Sequence, residues 1–131
     1  MAMLDHVTLF VRSLAASRAF YDRALAPLGY EALYAFDAST PGAKLLGYGA
    51  RPKAAFWIVE RAVAMGPLHV AFLAPSRAAV DAFHREGLAA GGKDNGAPGL
   101  RPHYHANYYG AFLLDPDGYN VEAVCHAPEA E

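Results

Sequence analysis

The sequence contains a single cysteine, no long apolar run and no run of basic residues. One cysteine, Cys125, excludes a disulfide within the chain. No apolar stretch is long enough to cross a bilayer, and no charged segment followed by an apolar one marks a secretion signal. The 11 Lys and Arg residues are scattered, and with 13 Asp and Glu residues they leave a net charge of −2. These absences argue against nucleic acid and membrane as partners, and they predict a cytoplasmic protein.

Apolar residues are abundant instead, at 54% of the 131 positions. A chain of this size and composition suits one domain, residues 1–131, that buries a sizeable core without cross-links. Cys125 stands beside His126, but neighbouring strand residues point to opposite faces. The pair therefore does not predict a catalytic thiol.

The end of the chain has the clearest local pattern. Strand-forming residues flank Asp115-Pro116-Asp117-Gly118, where proline presets one turn dihedral and Gly118 can adopt the left-handed conformation, so a hairpin is predicted. Glu122 lies in the second strand among valine and alanine residues. A carboxylate among apolar neighbours is costly unless it faces water or meets a cation. This strand alone leaves both alternatives open.

The two halves of the chain repeat one pattern of elements. Alternating apolar residues predict strands at Leu4–Val11 and Leu68–Leu73. Helices are predicted to follow at Leu14–Leu25, capped by Ser13, and at Arg77–Glu86, with Gly87 as its end.

Further strands are predicted in the first half at Glu31–Phe36, Lys44–Tyr48 and Ala54–Glu60, whereas the glycines and prolines of 91–101 indicate a loop. His6 and His69 are 63 positions apart, Phe20 and Phe83 are also 63 apart, and Glu60 and Glu122 are 62 apart. Such agreement indicates an internal repeat. The predicted fold is α+β, with two βαβββ modules, about 4–62 and about 67–126, each with its helix on the outer face of its sheet.

The repeat also predicts a metal site. His6 and His69 would point away from the helices, into the space between the sheets, where the last strand places Glu122. Two imidazoles and one carboxylate suit a divalent ion such as Zn, Ni, Mn or Fe, and they leave positions open for water or substrate. Glu60 is a possible fourth ligand by its spacing from His6, but an exposed ion pair beside Arg61 is the alternative explanation.

Several segments together are similar to known signatures. His6-Val7-x-Leu9-x-Val11 followed by Ser17-x-x-Phe20-Tyr21 resembles the glyoxalase signature, and His69-Val70-Ala71 resembles its second half. Asp115-Pro116-x-Gly118-x-x-x-Glu122 is similar to the extradiol dioxygenase signature, with His105 at its upstream histidine and Phe112 in place of its tyrosine. The chain thus resembles the vicinal oxygen chelate superfamily over nearly its whole length.

The resemblance implies a cupped sheet around a central cavity, one divalent metal ion, a small substrate that chelates the ion through oxygen, and a homodimer. Lyase or isomerase chemistry of the glyoxalase type is favoured over ring cleavage, because the phenyl ring of Phe112 cannot donate a hydrogen bond. Glu122 or Glu60 would act as the base, and His105 would relay protons.

Two other functions remain open. One is a metal-free protein of bleomycin-resistance type that sequesters a small molecule, and the other is an extradiol-like dioxygenase. The retained histidines favour the metal enzyme. The residues expected to contact substrate are aromatic or basic, although the aromatic ones could equally belong to the core and the loop ones to the rim: Phe10, Trp57, Arg101, His103, Tyr104, Tyr109 and Phe112.

Overall fold

The computed structural model describes residues 3–36, 44–62 and 65–129. Its elements, in chain order, are β1 (Val7–Val11), α1 (Leu14–Leu25), β2 (Glu31–Phe36), β3 (Leu45–Ala50), β4 (Lys53–Glu60), β5 (His69–Leu73), α2 (Arg77–Ala89), β6 (Lys93–Leu100), β7 (Tyr109–Leu114) and β8 (Asn120–Cys125). This order confirms the α+β class and the repeated strand, helix and three strands. Within these ranges, no helix has the length and apolar character needed to span a membrane.

Each half of the chain forms a four-stranded sheet with the same strand order. The orders are β1-β4-β3-β2 and β5-β8-β7-β6, and in each sheet the first and last strands of the half run parallel. The two sheets correspond residue by residue. Thr8 pairs with Trp57 in the first sheet and Ala71 pairs with Glu122 in the second, so Thr8 corresponds to Ala71 and Trp57 corresponds to Glu122. In the part of the chain that the structure describes, β1 and β5 are edge strands.

Both helices pack against a shared hydrophobic core. Leu9 and Val11 of β1 and Phe72 of β5 are buried in this core. The rings of Phe56 and Phe72 meet edge to face with centroids 4.9 Å apart, and this contact joins the two sheets. Complete burial of a side chain of this size stabilises the fold by about 1.5–3 kcal/mol. Each sheet therefore has a core face, on the same side as the helices. We call the opposite face, which carries no helix within the described residues, its outward face.

The helix boundaries follow local chemistry. The Ser13 hydroxyl accepts a hydrogen bond from the Ala16 N–H at 3.1 Å, and Ser76 caps α2 in the same way. These bonds satisfy backbone donors that have no partner within the first helical turn. A short 3₁₀ helix, Ala26–Leu28, follows α1, and Gly29 ends it with a φ of +89°.

The prediction that Gly87 ends the second helix is wrong, because α2 continues to Ala89. Gly87 instead lets the helix approach β7 closely. A Cβ atom at this position would lie 2.3 Å from the Leu113 Cδ1 and 3.2 Å from the Phe20 Cε1. The glycine is a packing requirement here and not a stop signal.

The predicted loop at 91–101 is also wrong, because residues Lys93–Leu100 form the edge strand β6. The pairing of β6 with β7 shifts register near Gly96 and again before Gly99. Bulges accommodate glycine, and an edge strand tolerates Pro98 because one of its edges needs no donor. Composition therefore indicated an irregular segment but not its pairing.

The predicted terminal hairpin is confirmed, and its turn is anchored on α1. Gly118 has a φ of +85° and its N–H donates to the Asp115 carbonyl at 2.8 Å. The buried Asp115 carboxylate accepts hydrogen bonds from the Asp117 and Tyr119 N–H groups and from the Tyr21 phenol, at 2.9, 3.0 and 2.5 Å. Burial raises the pKa of Asp115. This turn determines the register of β8 and hence the position of Glu122.

We expect Gly87→Ala to lower the free energy of unfolding by roughly 1–3 kcal/mol through overpacking against Leu113. This loss should appear although alanine gains up to about 1 kcal/mol in helix propensity. Denaturant unfolding of Gly87→Ala, Leu113→Val and the double variant measures the coupling. The double variant should lose less than the sum of the single losses, and additive losses would contradict the packing explanation.

Candidate functional site

The candidate site is centred on the carboxylate of Glu122. Its strand, β8, lies between β5 and β7, where Glu122 pairs with Ala71 and with Phe112. Because strand residues alternate, Glu122 shares the outward face with His69 and Phe112, whereas Val121 and Ala123 belong to the core. Glu122 nevertheless has only 1% of its surface exposed. A carboxylate buried on an otherwise open face indicates a binding or catalytic site that shields it from water.

Both oxygens of this carboxylate have partners. The His69 Nε2 lies 2.8 Å from Oε1, and the Tyr108 phenol donates a hydrogen bond to Oε2. The His69 side chain is 50% exposed, so it connects the buried carboxylate with solvent. Burial, followed by the bond to Glu122 and its charge, raises the pKa of Tyr108. The phenol therefore stays protonated at neutral pH and remains a donor.

His6, the expected partner of this pair, lies apart from it. It precedes β1, is 52% exposed, and its Nδ1 lies 2.7 Å from the Asp5 Oδ2. It borders a cavity of about 560 Å³ together with Lys53 and Ala71. Among the residues that the structure describes, no three His, Cys, Asp or Glu side chains lie close enough to hold a metal ion. The structure brings His69 and Glu122 together and does not bring His6 to them.

Glu60 lies on the core side of its sheet. It pairs with Val11, its Oε1 accepts a hydrogen bond from the Leu14 N–H at 3.0 Å, and its Oε2 lies 3.2 Å from the Lys44 Nζ. The bond from Leu14 and then the one from Lys44 lower its pKa. The position that corresponds to Glu122 is Trp57, three residues earlier. An odd offset along a strand turns the side chain to the other face, so the structure does not bring Glu60 to His69 and Glu122.

Phe112 and Arg101 border the Glu122 site. The Phe112 ring lies 6.0 Å from the His69 ring, and the Arg101 guanidinium lies 5.4 Å from the centre of the Phe112 ring. Arg101 also donates to the carbonyls of Ala97 and Gly99, both at 2.8 Å. These bonds hold β6 against the rim of the site.

The predicted residues of the segment before β7 surround Tyr108. The Tyr104 ring lies 4.8 Å from the Tyr108 ring and 4.2 Å from His103. The His105 Nδ1 accepts from the Asn107 N–H, so its proton is assigned to Nε2, which lies 2.9 Å from the His126 Nδ1. The segment thus reaches Glu122 through Tyr108.

The remaining predicted contacts lie elsewhere. Tyr109 faces the core side, where its phenol donates to Asp81 at 2.6 Å. Trp57 lies on the outward face of the first sheet, stacked on Tyr34 with centroids 6.1 Å apart. Phe10 is on the same face, with the Arg61 guanidinium 5.5 Å from its ring centre. These residues form an aromatic surface that corresponds to the Glu122 site of the second sheet.

Sequence reasoning missed the link between Tyr108 and Glu122. The available signal was the alternation of Tyr108, Gly110 and Phe112 beside a strand that carries a buried carboxylate. That signal depends on cross-strand register, which local patterns do not provide.

The site partly fits a divalent metal ion. An imidazole nitrogen and a carboxylate oxygen are suitable ligand atoms for Zn, Ni, Mn or Fe, and here they already lie side by side. A stable site needs at least a third protein ligand. Within the described part of one chain, the pair supplies two.

The sequence matches the profile of the Glyoxalase/Bleomycin resistance protein/Dioxygenase superfamily over residues 3–123. The chain belongs to this superfamily. Its members include enzymes, bind small-molecule substrates, commonly use a divalent metal and are often dimers. A comparison with curated protein sequences finds no significant match.

Solved structures agree with this assignment and with the cupped arrangement of the two sheets. A glyoxalase/bleomycin resistance protein from Albidiferax ferrireducens T118 is 28% identical, with a TM-score of 0.78 over 96% of this chain and 100% of that one. A family enzyme from Burkholderia phytofirmans PsJN is 22% identical, with a TM-score of 0.69 over 96% and 100%. The fosfomycin resistance protein FosX from Listeria monocytogenes is 20% identical, with a TM-score of 0.65 over 100% and 96%. The last two show the fold alone.

We expect Glu60→Gln to destabilise the protein at neutral pH because it weakens the bonds to Leu14 and Lys44. The pKa of Glu60 is lower in the folded protein than in the unfolded chain. Its stabilising effect is therefore present above the unfolded-state pKa and is lost as pH falls through the folded-state pKa. Thermal unfolding across this pH range should show the wild-type protein and the variant converging in acid. A difference that persists in acid would contradict the assigned role.

Proposed function

We propose that the protein is a divalent-metal-dependent enzyme of glyoxalase type that acts on a small oxygen-chelating substrate by isomerase or lyase chemistry. The burial of Glu122, with the His69 Nε2 2.8 Å from its Oε1, carries this proposal. A carboxylate removed from water is stabilised by a nearby positive charge, which a metal ion would supply. His69 is half exposed, so the ion would remain accessible to substrate.

In this proposal His69 and Glu122 are two ligands, and His6 of a second copy of the chain is the third. Two observations support a homodimer as the source of the third ligand. His6 does not meet the pair within the described chain, and β1 and β5 have no strand on their outer edges there. Unpaired strand edges are common sites of association. When bound, a divalent ion stabilises negative charge that develops on substrate oxygens.

The side chains around the ligands have separate proposed roles. Glu122 is the proposed base, because Glu60 lies on the core face and Glu122 is shielded from water. The Tyr108 phenol donates its proton in a hydrogen bond to the Glu122 Oε2. His105 packs on Tyr108 with ring centroids 5.5 Å apart and bonds to His126 at the exposed end, and these contacts support its proposed role as a proton relay to solvent. Phe112 and Arg101 would form the substrate rim.

A second candidate function is metal-free sequestration of a small molecule. One observation favours it, because His69 and Tyr108 already engage both oxygens of Glu122. The aromatic ring cluster around Tyr108 would then provide the binding surface.

We expect elemental analysis of the purified protein to find about one divalent ion per chain, removed by chelation. Glu122→Gln and His69→Ala should each lower the affinity for added Zn²⁺ well beyond the roughly 10–100-fold loss typical of changes outside the ligands. His84→Ala is the matched control, because His84 forms an imidazole–carboxylate pair with Asp94 at 2.9 Å, on α2 and β6. Glu60→Gln should also retain the ion. Wild-type protein that takes up no Zn, Ni, Mn or Fe(II) would favour sequestration.

The source of the third ligand can be tested by mixing variants. His6→Ala and Glu122→Gln homodimers should each bind metal poorly. If the third ligand comes from a second copy, their refolded mixture contains heterodimers in which one site is intact, so metal binding should partly return. Failure of the mixture to recover binding, although the wild-type protein treated in the same way does, would contradict a shared site.

A further inference from the structure

We propose that Tyr108 is the positioning residue of Glu122, and that it can occupy this place because residue 110 is glycine. This inference rests on the proposed function in so far as Glu122 is taken as a metal ligand. Its geometrical part, the phenol–carboxylate pair, is independent of any metal.

Gly110 leaves the space that the Tyr108 ring crosses to reach Glu122. A Cβ atom at residue 110 would lie 3.2 Å from the Tyr108 Cε1, 3.3 Å from the Glu122 Oε2 and 3.6 Å from the Ala123 carbonyl. The first two contacts are shorter than ordinary van der Waals separations. A side chain at this position would therefore push the phenol and the carboxylate apart. The φ angle of Gly110 is not positive, so the requirement for glycine comes from space.

The Tyr108 ring is held in this position by its neighbours. Its centroid lies 4.8 Å from that of Tyr104 and 5.5 Å from those of both His105 and His126. The Tyr108 carbonyl accepts a hydrogen bond from the Arg101 N–H at 2.7 Å. A donor fixed in this way limits the rotation of the carboxylate that it binds.

The consequence is a difference between the two oxygens of Glu122. Oε2 is engaged by the phenol, and Oε1 is directed at His69. If Glu122 holds a metal ion, Oε1 would be the oxygen available to it, because Oε2 is bonded to Tyr108. Tyr108 would thereby limit which oxygen coordinates and lower the cost of ordering Glu122.

The sequence shows why this residue is needed. Phe112, directly across from Glu122, has no hydroxyl group. Tyr108 supplies a phenol from four positions earlier, across the gap at Gly110. The pair Tyr108 and Gly110 therefore acts as a unit.

This unit can be tested by a double-mutant cycle with Zn²⁺ as the probe. Tyr108→Phe should weaken Zn²⁺ binding, measured by calorimetry, by roughly 10–100-fold. Gly110→Ala should also weaken it, because the added methyl group separates the same two groups. The double variant should be no weaker than the weaker single variant, since both changes remove one bond. Unchanged affinity in Tyr108→Phe, or additive losses, would overturn the proposal.

Matched controls separate this effect from general damage. Tyr48→Phe removes another phenol–carboxylate bond, to Asp22 at 2.9 Å, and Gly66→Ala adds a methyl group in open space. Both should leave Zn²⁺ affinity unchanged. Equal losses in these controls would overturn the specific role of Tyr108.

A readout without metal distinguishes failure of this inference from failure of the proposed function. Crystal structures of metal-free wild-type protein and of metal-free Gly110→Ala supply this readout. The wild-type structure should show the Tyr108 phenol bonded to the Glu122 Oε2, and the Gly110→Ala structure should show the two groups separated. If wild-type protein binds no metal, the proposed function fails, yet this result would still support the pair. A Tyr108 phenol turned away from Glu122 in the wild-type structure would overturn it.

Discussion

The structure depends on the burial of one carboxylate between β5 and β7. Removing Glu122 from water is costly unless both of its oxygens find partners, and this requirement determines the surroundings. His69 must stand two positions before Ala71, the strand partner of Glu122, a phenol must reach Oε2, and the backbone at residue 110 must leave room for that phenol. The anchored turn at Asp115 keeps β8 in the register that satisfies all three.

The internal repeat makes this arrangement easier to understand. Both sheets offer the same backbone positions, yet the first has Trp57 where the second has Glu122. Trp57 lies across Gly47, whose Cβ would come within 2.8 Å of the indole ring, while the corresponding residue in the second sheet is Phe112. The repeat therefore conserves the scaffold and not the chemistry. One sheet carries the ionisable pair and the other carries an aromatic surface.

Local sequence patterns were enough for much of the fold. Alternation predicted β1 and β5, serine caps predicted the helix starts, and turn chemistry predicted the terminal hairpin. Features that depend on distant partners were not accessible. Local sequence indicates that Gly87 ends a helix and that Gly96 lies in a loop. Nothing local shows that Gly87 packs against β7 or that Gly96 forms a bulge in β6. The spacing of Glu60 resembled that of Glu122, but strand register places it on the core face. The repeat predicted that His69 and Glu122 point into the same space, whereas the contact of Tyr108 with Glu122 depends on cross-strand geometry.

The most direct test of this account is an anomalous diffraction measurement on crystals grown with Mn²⁺ or Zn²⁺. The account predicts a peak within bonding distance of the His69 Nε2 and the Glu122 Oε1, with Tyr108 still bonded to Oε2 and His6 of a second copy as the third protein ligand. A peak at another site, such as His105 and His126, or a peak with both Glu122 oxygens on the ion and Tyr108 displaced, would contradict it.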